Sequence, residues 1–140
     1  MIHFHYEIGF KLDGEPLYRK WAEAVIASEE RKAGDINYIF CEDAYLHELN
    51  LKYLNHNTLT DIISFDYSEG NTLNGDIFIS VERVRENAGA YKVSFQEELL
   101  RVMAHGLLHY CGYNDKTPEE TAVMRTKETE KIKMFHVEQL

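Results

Sequence analysis

Apolar and polar residues alternate over positions 2–8, Ile2-His3-Phe4-His5-Tyr6-Glu7-Ile8, the two-residue period of a half-buried strand. Beyond Pro16 the period becomes helical, with Leu17, Trp21, Ala24 and Val25 on one face and Gly34 as the expected stop. Alternation returns over 36–41 with Ile36, Tyr38 and Phe40, a second strand, and Asp43 is placed to cap a helix carrying Leu46, Leu49 and Tyr53. Two short β-branched or aromatic runs follow, Ile62–Tyr67 and Asp76–Val81, and the polar segment 68–74 joins them as a hairpin. From Glu82 onward the pattern is helical. Ser94 and Glu97 make a capping box ahead of an apolar helix that ends near Cys111, where Gly112 stops it. Thr117, Pro118 and Glu120 then supply the cap, the N1 proline and the box acid of a last helix. The order β-α-β-α-β-β-α-α-α predicts an α+β fold, a small mixed four-stranded sheet packed with about five helices. Residues 1–140 are read as a single domain, with no repeat or linker.

Composition narrows the classes. The apolar fraction is 44% and the charged fraction 28%, ordinary for a globular chain. No apolar run approaches the ~20 residues of a membrane helix, and the alternating N-terminus is unlike a signal peptide, so a cytoplasmic location is expected. Cys41 and Cys111 read as reduced packing residues and not as a disulfide framework. The net charge of −9 opposes non-specific nucleic-acid binding, and residues 35–81 carry eight acids against Lys52 alone. An RNA substrate then requires a local basic surface or a metal-centred grip.

The chemistry concentrates in His105-Gly106-Leu107-Leu108-His109-Tyr110-Cys111-Gly112-Tyr113-Asn114-Asp115. Residues four apart on a helix share a face, so His105 and His109 can converge on one ion. Gly112 lets the chain turn back, and Asp115 arrives ten positions after His105, the ligand spacing of a metzincin with Asp in the last place. His105, His109 and Asp115 are therefore the candidate metal ligands. Three ligands leave a place open on zinc, the pattern of a catalytic site; a structural site wants four, and Cys111 lies on a different helix face. The expected ion is Zn²⁺, one per chain. Asp115 lowers the site's formal charge to +1, which also suits Mn²⁺ or another divalent ion. Zinc proteases of this spacing place a glutamate after the first histidine, where this chain has Gly106. Peptide hydrolysis is thereby disfavoured against phosphodiester hydrolysis, and no catalytic residue is assigned beyond the water the ion would activate. Arg101, one turn before His105, is a candidate substrate-binding residue for a phosphate, with a solvated arginine as its plain alternative.

The sequence resembles the YbeY family of rRNA maturation endoribonucleases. The metal stretch is similar to the family's H-G-x-L-H-x-x-G-Y-D-H. Leu49-Asn50-Leu51-Lys52-Tyr53-Leu54 and Leu59-Thr60-Asp61-Ile62-Ile63-Ser64-Phe65 resemble its L-N-x-x-Y-R and P-T-D-V-L-S-F. Gly75-Asp76-Ile77-Phe78-Ile79-Ser80 resembles its G-D-I-x-I-S strand, and Glu120, Met124 and Glu128 match its terminal helix. The resemblance implies a zinc-dependent single-strand endoribonuclease that matures the 3′ end of small-subunit rRNA and serves ribosome quality control, with precursor rRNA and the small ribosomal subunit as partners. Two positions depart from the pattern: Asp115 stands where the family has histidine, and Leu54 where it has arginine, with His56 nearby, read as an exposed loop histidine or, alternatively, as a compensating group. The alternative reading is a ribosome-associated interaction module with a mainly structural metal. Thr60-Asp61 reads as a turn, with support of a metal histidine as Asp61's other reading, and Gly75-Asp76 as the tight start of a strand.

Overall fold

The computed structural model describes residues 1–54 and 60–138, so His56 and Leu59 lie outside the described residues. The elements are β1 (Ile2–Tyr6), α1 (Glu15–Ser28), β2 (Lys32–Cys41), α2 (Asp43–Leu54), β3 (Ile62–Asp66), β4 (Thr72–Ser80), α3 (Val81–Tyr91), α4 (Phe95–Tyr110) and α5 (Pro118–Glu138). This is the expected α+β order. The four-stranded sheet runs β1-β2-β4-β3, with β1, β2 and β4 parallel and β3 antiparallel to β4. The hairpin expected around residues 68–74 is therefore present, and it is what makes the sheet mixed.

Each sheet face buries a different cluster, because alternate side chains point opposite ways. Ile36, Tyr38, Phe40, Ile77 and Ile79 face the large core shared with α1, α4 and α5. Cys41, Ile63, Phe65 and Phe78 face a smaller cluster with Leu46 of α2. Helix α4 buries most of its circumference, from Leu99 to Tyr110, since it lies between the sheet and the other helices. Among the described residues no helix is long and apolar enough to cross a membrane.

Several local expectations shift. The first helix stops at Ser28, where Glu30 takes φ +60° and Glu30 and Arg31 donate backbone hydrogen bonds to Ala27 and Ile26. That reversal needs no glycine, and Gly34 lies inside β2. The buried stripe of α1 is Tyr18, Trp21, Ala22, Val25 and Ile26, while Leu17 is exposed. The Asp43 side chain turns toward α3: it accepts from Ser80 Oγ at 2.6 Å and pairs with Arg83 at 2.8 Å, tying α2 to the start of α3. Strand β4 begins at Thr72 and hands over at Ser80, whose hydroxyl caps α3 by accepting from Arg83 N. Gly75 and Asp76 are thus interior to the strand.

Candidate metal centre

Of the cap signals around the metal stretch, the Thr117 box forms in full and the Ser94 box forms in its hydroxyl half. Ser94 Oγ accepts from Glu97 N at 3.0 Å and starts α4. At the far end Gly112 takes φ +98°, and backbone hydrogen bonds from Gly112 to His109 and from Tyr113 to Leu108 close the helix. This is the Schellman arrangement, and its left-handed residue turns the chain back over the last turn of α4. Tyr113 anchors the turn by donating to Glu29 Oε1 at 2.7 Å, while Lys131 and Lys127 hold Glu29's other oxygen at 2.7 and 3.2 Å. Burial pushes the Glu29 carboxyl up, but those three contacts outweigh it and hold it below its ordinary value. At the start of α5, Thr117 Oγ1 accepts from Glu120 N and Glu120 accepts from Thr117 N, both at 3.1 Å, completing the box. Asp115 is thereby fixed between two determined ends.

The three candidate ligands converge. His105 Nε2 lies 3.0 Å from His109 Nε2, and Asp115 Oδ2 lies 3.3 Å from the first and 3.6 Å from the second. A tetrahedral ion with bonds of about 2.0–2.2 Å spaces its donors about 3.3–3.6 Å apart; both Asp115 separations fall in that range, the two imidazole nitrogens stand about 0.3 Å closer, and the donor set fits zinc in its chemistry. Among the described residues these three alone form such a cluster. Cys111 is outside it, a free thiol packed against the core, as expected.

One residue of the site has no role assigned from sequence. Glu128 of α5 places Oε2 2.7 Å from His105 Nδ1, and its other oxygen accepts from Arg101 at 3.2 Å. A carboxylate on Nδ1 puts the ring proton there and leaves the Nε2 lone pair for a cation. The signal available in sequence is an acid on the otherwise buried stripe Met124, Glu128, Lys131, Ile132, Phe135. Support of the histidine thus comes from Glu128 and not from Asp61. Thr60 makes the local turn bonds, its hydroxyl meeting the Ile62 backbone, while the Asp61 carboxyl reaches toward the Asn87 amide at 3.5 Å.

The two imidazoles differ electrically. Burial lowers His105's affinity for a proton, but the Glu128 hydrogen bond and charge, with Asp115 and Asp61, raise its pKa overall above 6.5. Burial and the neighbouring His105 push His109 below 6.5. Gly106, where a protease would carry its base, faces the sheet: a Cβ there would stand 3.0 Å from Ile77 Cδ1 and 3.3 Å from Ile62 Cδ1. Arg101 is not a solvated side chain; it is 15% exposed and also reaches Thr129 Oγ1 at 3.3 Å. It lines, with His105, Asp115 and Glu128, a cavity of about 240 Å³ that opens beside the ligand cluster. Leu54 is not among that cavity's lining residues.

A mixed α+β scaffold thus presents a His-His-Asp cluster beside a cleft, and the comparisons with known proteins place this scaffold among the nucleases. The family profile described as endoribonuclease YbeY matches residues 9–136. The endoribonuclease YbeY of Flavobacterium johnsoniae is 63% identical over 139 residues, 99% of this chain and 100% of that one. That of Flavobacterium psychrophilum is 60% identical, covering 99% of each chain. The solution structure of TM1509 from Thermotoga maritima superposes with a TM-score of 0.71 at 25% identity, covering 99% of this chain and 91% of that one. The chain belongs to the endoribonuclease YbeY family, a family of RNA-cleaving hydrolases.

Proposed function

We propose that this protein is a single-domain, metal-dependent endoribonuclease that cleaves single-stranded RNA, acting in the cytoplasm on the 3′ end of small-subunit rRNA and in ribosome quality control. The observation that carries the metal dependence is the 3.0–3.6 Å convergence of His105, His109 and Asp115 in a chain of this family. Zn²⁺ is the proposed ion, and when bound it supplies a Lewis acid for the phosphodiester and a more acidic water. The protein's own part is positional. Glu128 holds the His105 ring in one tautomer, and Tyr113 with Glu29 fixes the turn that delivers Asp115. Asp115 removes one unit of charge from the cluster, which moderates the acidity of that water. Arg101 keeps guanidinium hydrogens beyond the Glu128 contact, and these are its proposed means of meeting a substrate phosphate.

The test compares cleavage of single-stranded rRNA-derived oligonucleotides by wild type and His109→Ala, with metal content measured on both. One zinc and multiple turnover in wild type, with both lost in a variant that still folds, is the expected result. Turnover that survives both metal removal and His109→Ala would reject the proposal. Leu54, in place of the family's arginine, favours the second reading, a ribosome-binding module whose metal ties α4 to α5. That reading predicts a large loss of thermal stability on metal removal and no turnover at any metal load.

A further inference from the structure

The cavity does not end at the ligand cluster. Glu98 lies two turns before His105 on the same face of α4, about 10 Å along the axis. It is only 4% exposed, it lines the cavity, and its carboxylate takes no hydrogen bond or ion pair from any described residue. Asp61 lines the same space. Burial and the nearby Asp61 charge push the Glu98 carboxyl above its ordinary value, and burial does the same to Asp61. The Glu98 oxygens are not among the fully enclosed unpaired polar atoms, so they open onto the cavity, and a carboxylate so little hydrated marks a place where a donor arrives from outside.

The rest of the wall describes that donor. Ile62 and Val102 supply apolar surface, and Tyr91 an exposed ring at the end of α3. Arg125 also lines the space, its side chain 58% exposed, and its charge, with that of Arg101, partly offsets the upward push on Glu98. The volume, about 240 Å³, is several times the ~30 Å³ share of one water. Apolar faces, an aromatic rim, acceptors at the inner edge and a cation outside suit a planar heterocycle that carries N–H donors and is linked to an anion.

We propose that Glu98, with Asp61 beside it, is the base-reading wall of a nucleotide pocket that selects guanine next to the scissile phosphodiester. Guanine offers two parallel donors, N1–H and N2–H₂, that match the two oxygens of one carboxylate. Adenine and cytosine set a ring acceptor beside their single amine, and uracil flanks its one N–H with carbonyls, so each turns a lone pair toward the carboxylate. The assignment rests on the RNA substrate of the proposed function.

The test titrates the zinc-loaded full chain with the 5′-monophosphates of guanosine, adenosine, cytidine, uridine and inosine, followed by backbone amide shifts. Guanosine monophosphate is expected to bind at least about tenfold tighter than uridine monophosphate, with shifts at Tyr91, Glu98 and Val102. Inosine monophosphate, lacking the N2 amine, is expected to fall between them. In Glu98→Gln the preference should shrink to about twofold or less, with the His105 and His109 resonances unmoved. Equal affinities in wild type, shifts mapping outside the cavity, or a preference unchanged in Glu98→Gln would overturn the assignment. Should that variant fail to fold, the inosine comparison on wild type decides alone. Cleavage measured in parallel separates the two proposals. RNA cleaved with no base preference and equal nucleotide binding overturns the pocket alone, while guanine-selective binding in a chain that cuts no RNA supports the pocket and overturns the nuclease.

Discussion

The two ends of one cavity treat their charged groups differently. At the outer end His105, His109 and Asp115 sit within 3.6 Å of one another, and Glu128 already holds the first imidazole and Arg101. At the inner end Glu98 is 4% exposed and its carboxylate takes no hydrogen bond or ion pair from any described residue. Both ends hang on the same face of α4, so backbone placement does not separate them. The outer end is organised around a cation with its supporting contacts made in advance, while the inner end leaves an acceptor open. Support and vacancy along one helix face distinguish the part that holds a reagent from the part that receives a substrate.

The largest effect is expected from breaking the outer end. His105→Ala or His109→Ala should take zinc from one per chain to none, measured by elemental analysis, and reduce RNA cleavage to background. Glu128→Gln is next: the three ligands remain, but the His105 ring loses its anchor, so zinc affinity should fall about 10–100-fold in a competition titration with a chelator. An affinity within twofold of wild type would show that Glu128 serves packing between α4 and α5 only.

Acid should act on the same end. In metal-free protein His105 is expected to titrate above 6.5 and His109 below it, a split readable from imidazole shifts. The raised His105 value contributes stability fully present below pH 6.5 and lost as pH rises through its folded value. The depressed His109 value works oppositely, costing stability as pH falls below 6.5. Protons compete with zinc at both rings, so occupancy should decline on acidification, beginning above pH 6.5 at His105. The smallest effect belongs to the inner end. With its pKa raised from 4.5, Glu98 penalises the folded state as pH rises through its folded value. Glu98→Gln should therefore raise the thermal midpoint at pH 7 and leave it unchanged at pH 3. A lower midpoint at pH 7 would mean that the carboxylate has a stabilising partner.

Periodicity and caps make the element order legible in the sequence, because strands and helices each bury one face and the caps lie in the local chain. Boundaries that depend on tertiary reversal are not legible in that way: Glu30 ends α1 in a left-handed conformation that residue type does not advertise, and Gly34 falls inside a strand. The ligand triplet is legible because all three residues lie within eleven positions on one helix and its turn. Glu128 is hidden because it comes from another helix, 23 positions beyond His105, and only the packing of α5 on α4 brings it there. Glu98 is hidden for a related reason, since an acid in the first turn of a helix reads as ordinary complement to the dipole until its burial is seen.

Anomalous scattering at the metal absorption edges, from a crystal of metal-replete protein, tests the three-ligand centre most directly. The expected map has one zinc peak per chain, about 2.0–2.2 Å from His105 Nε2, His109 Nε2 and an Asp115 carboxylate oxygen. A metal peak elsewhere, or these side chains turned apart with no ion between them, would contradict it.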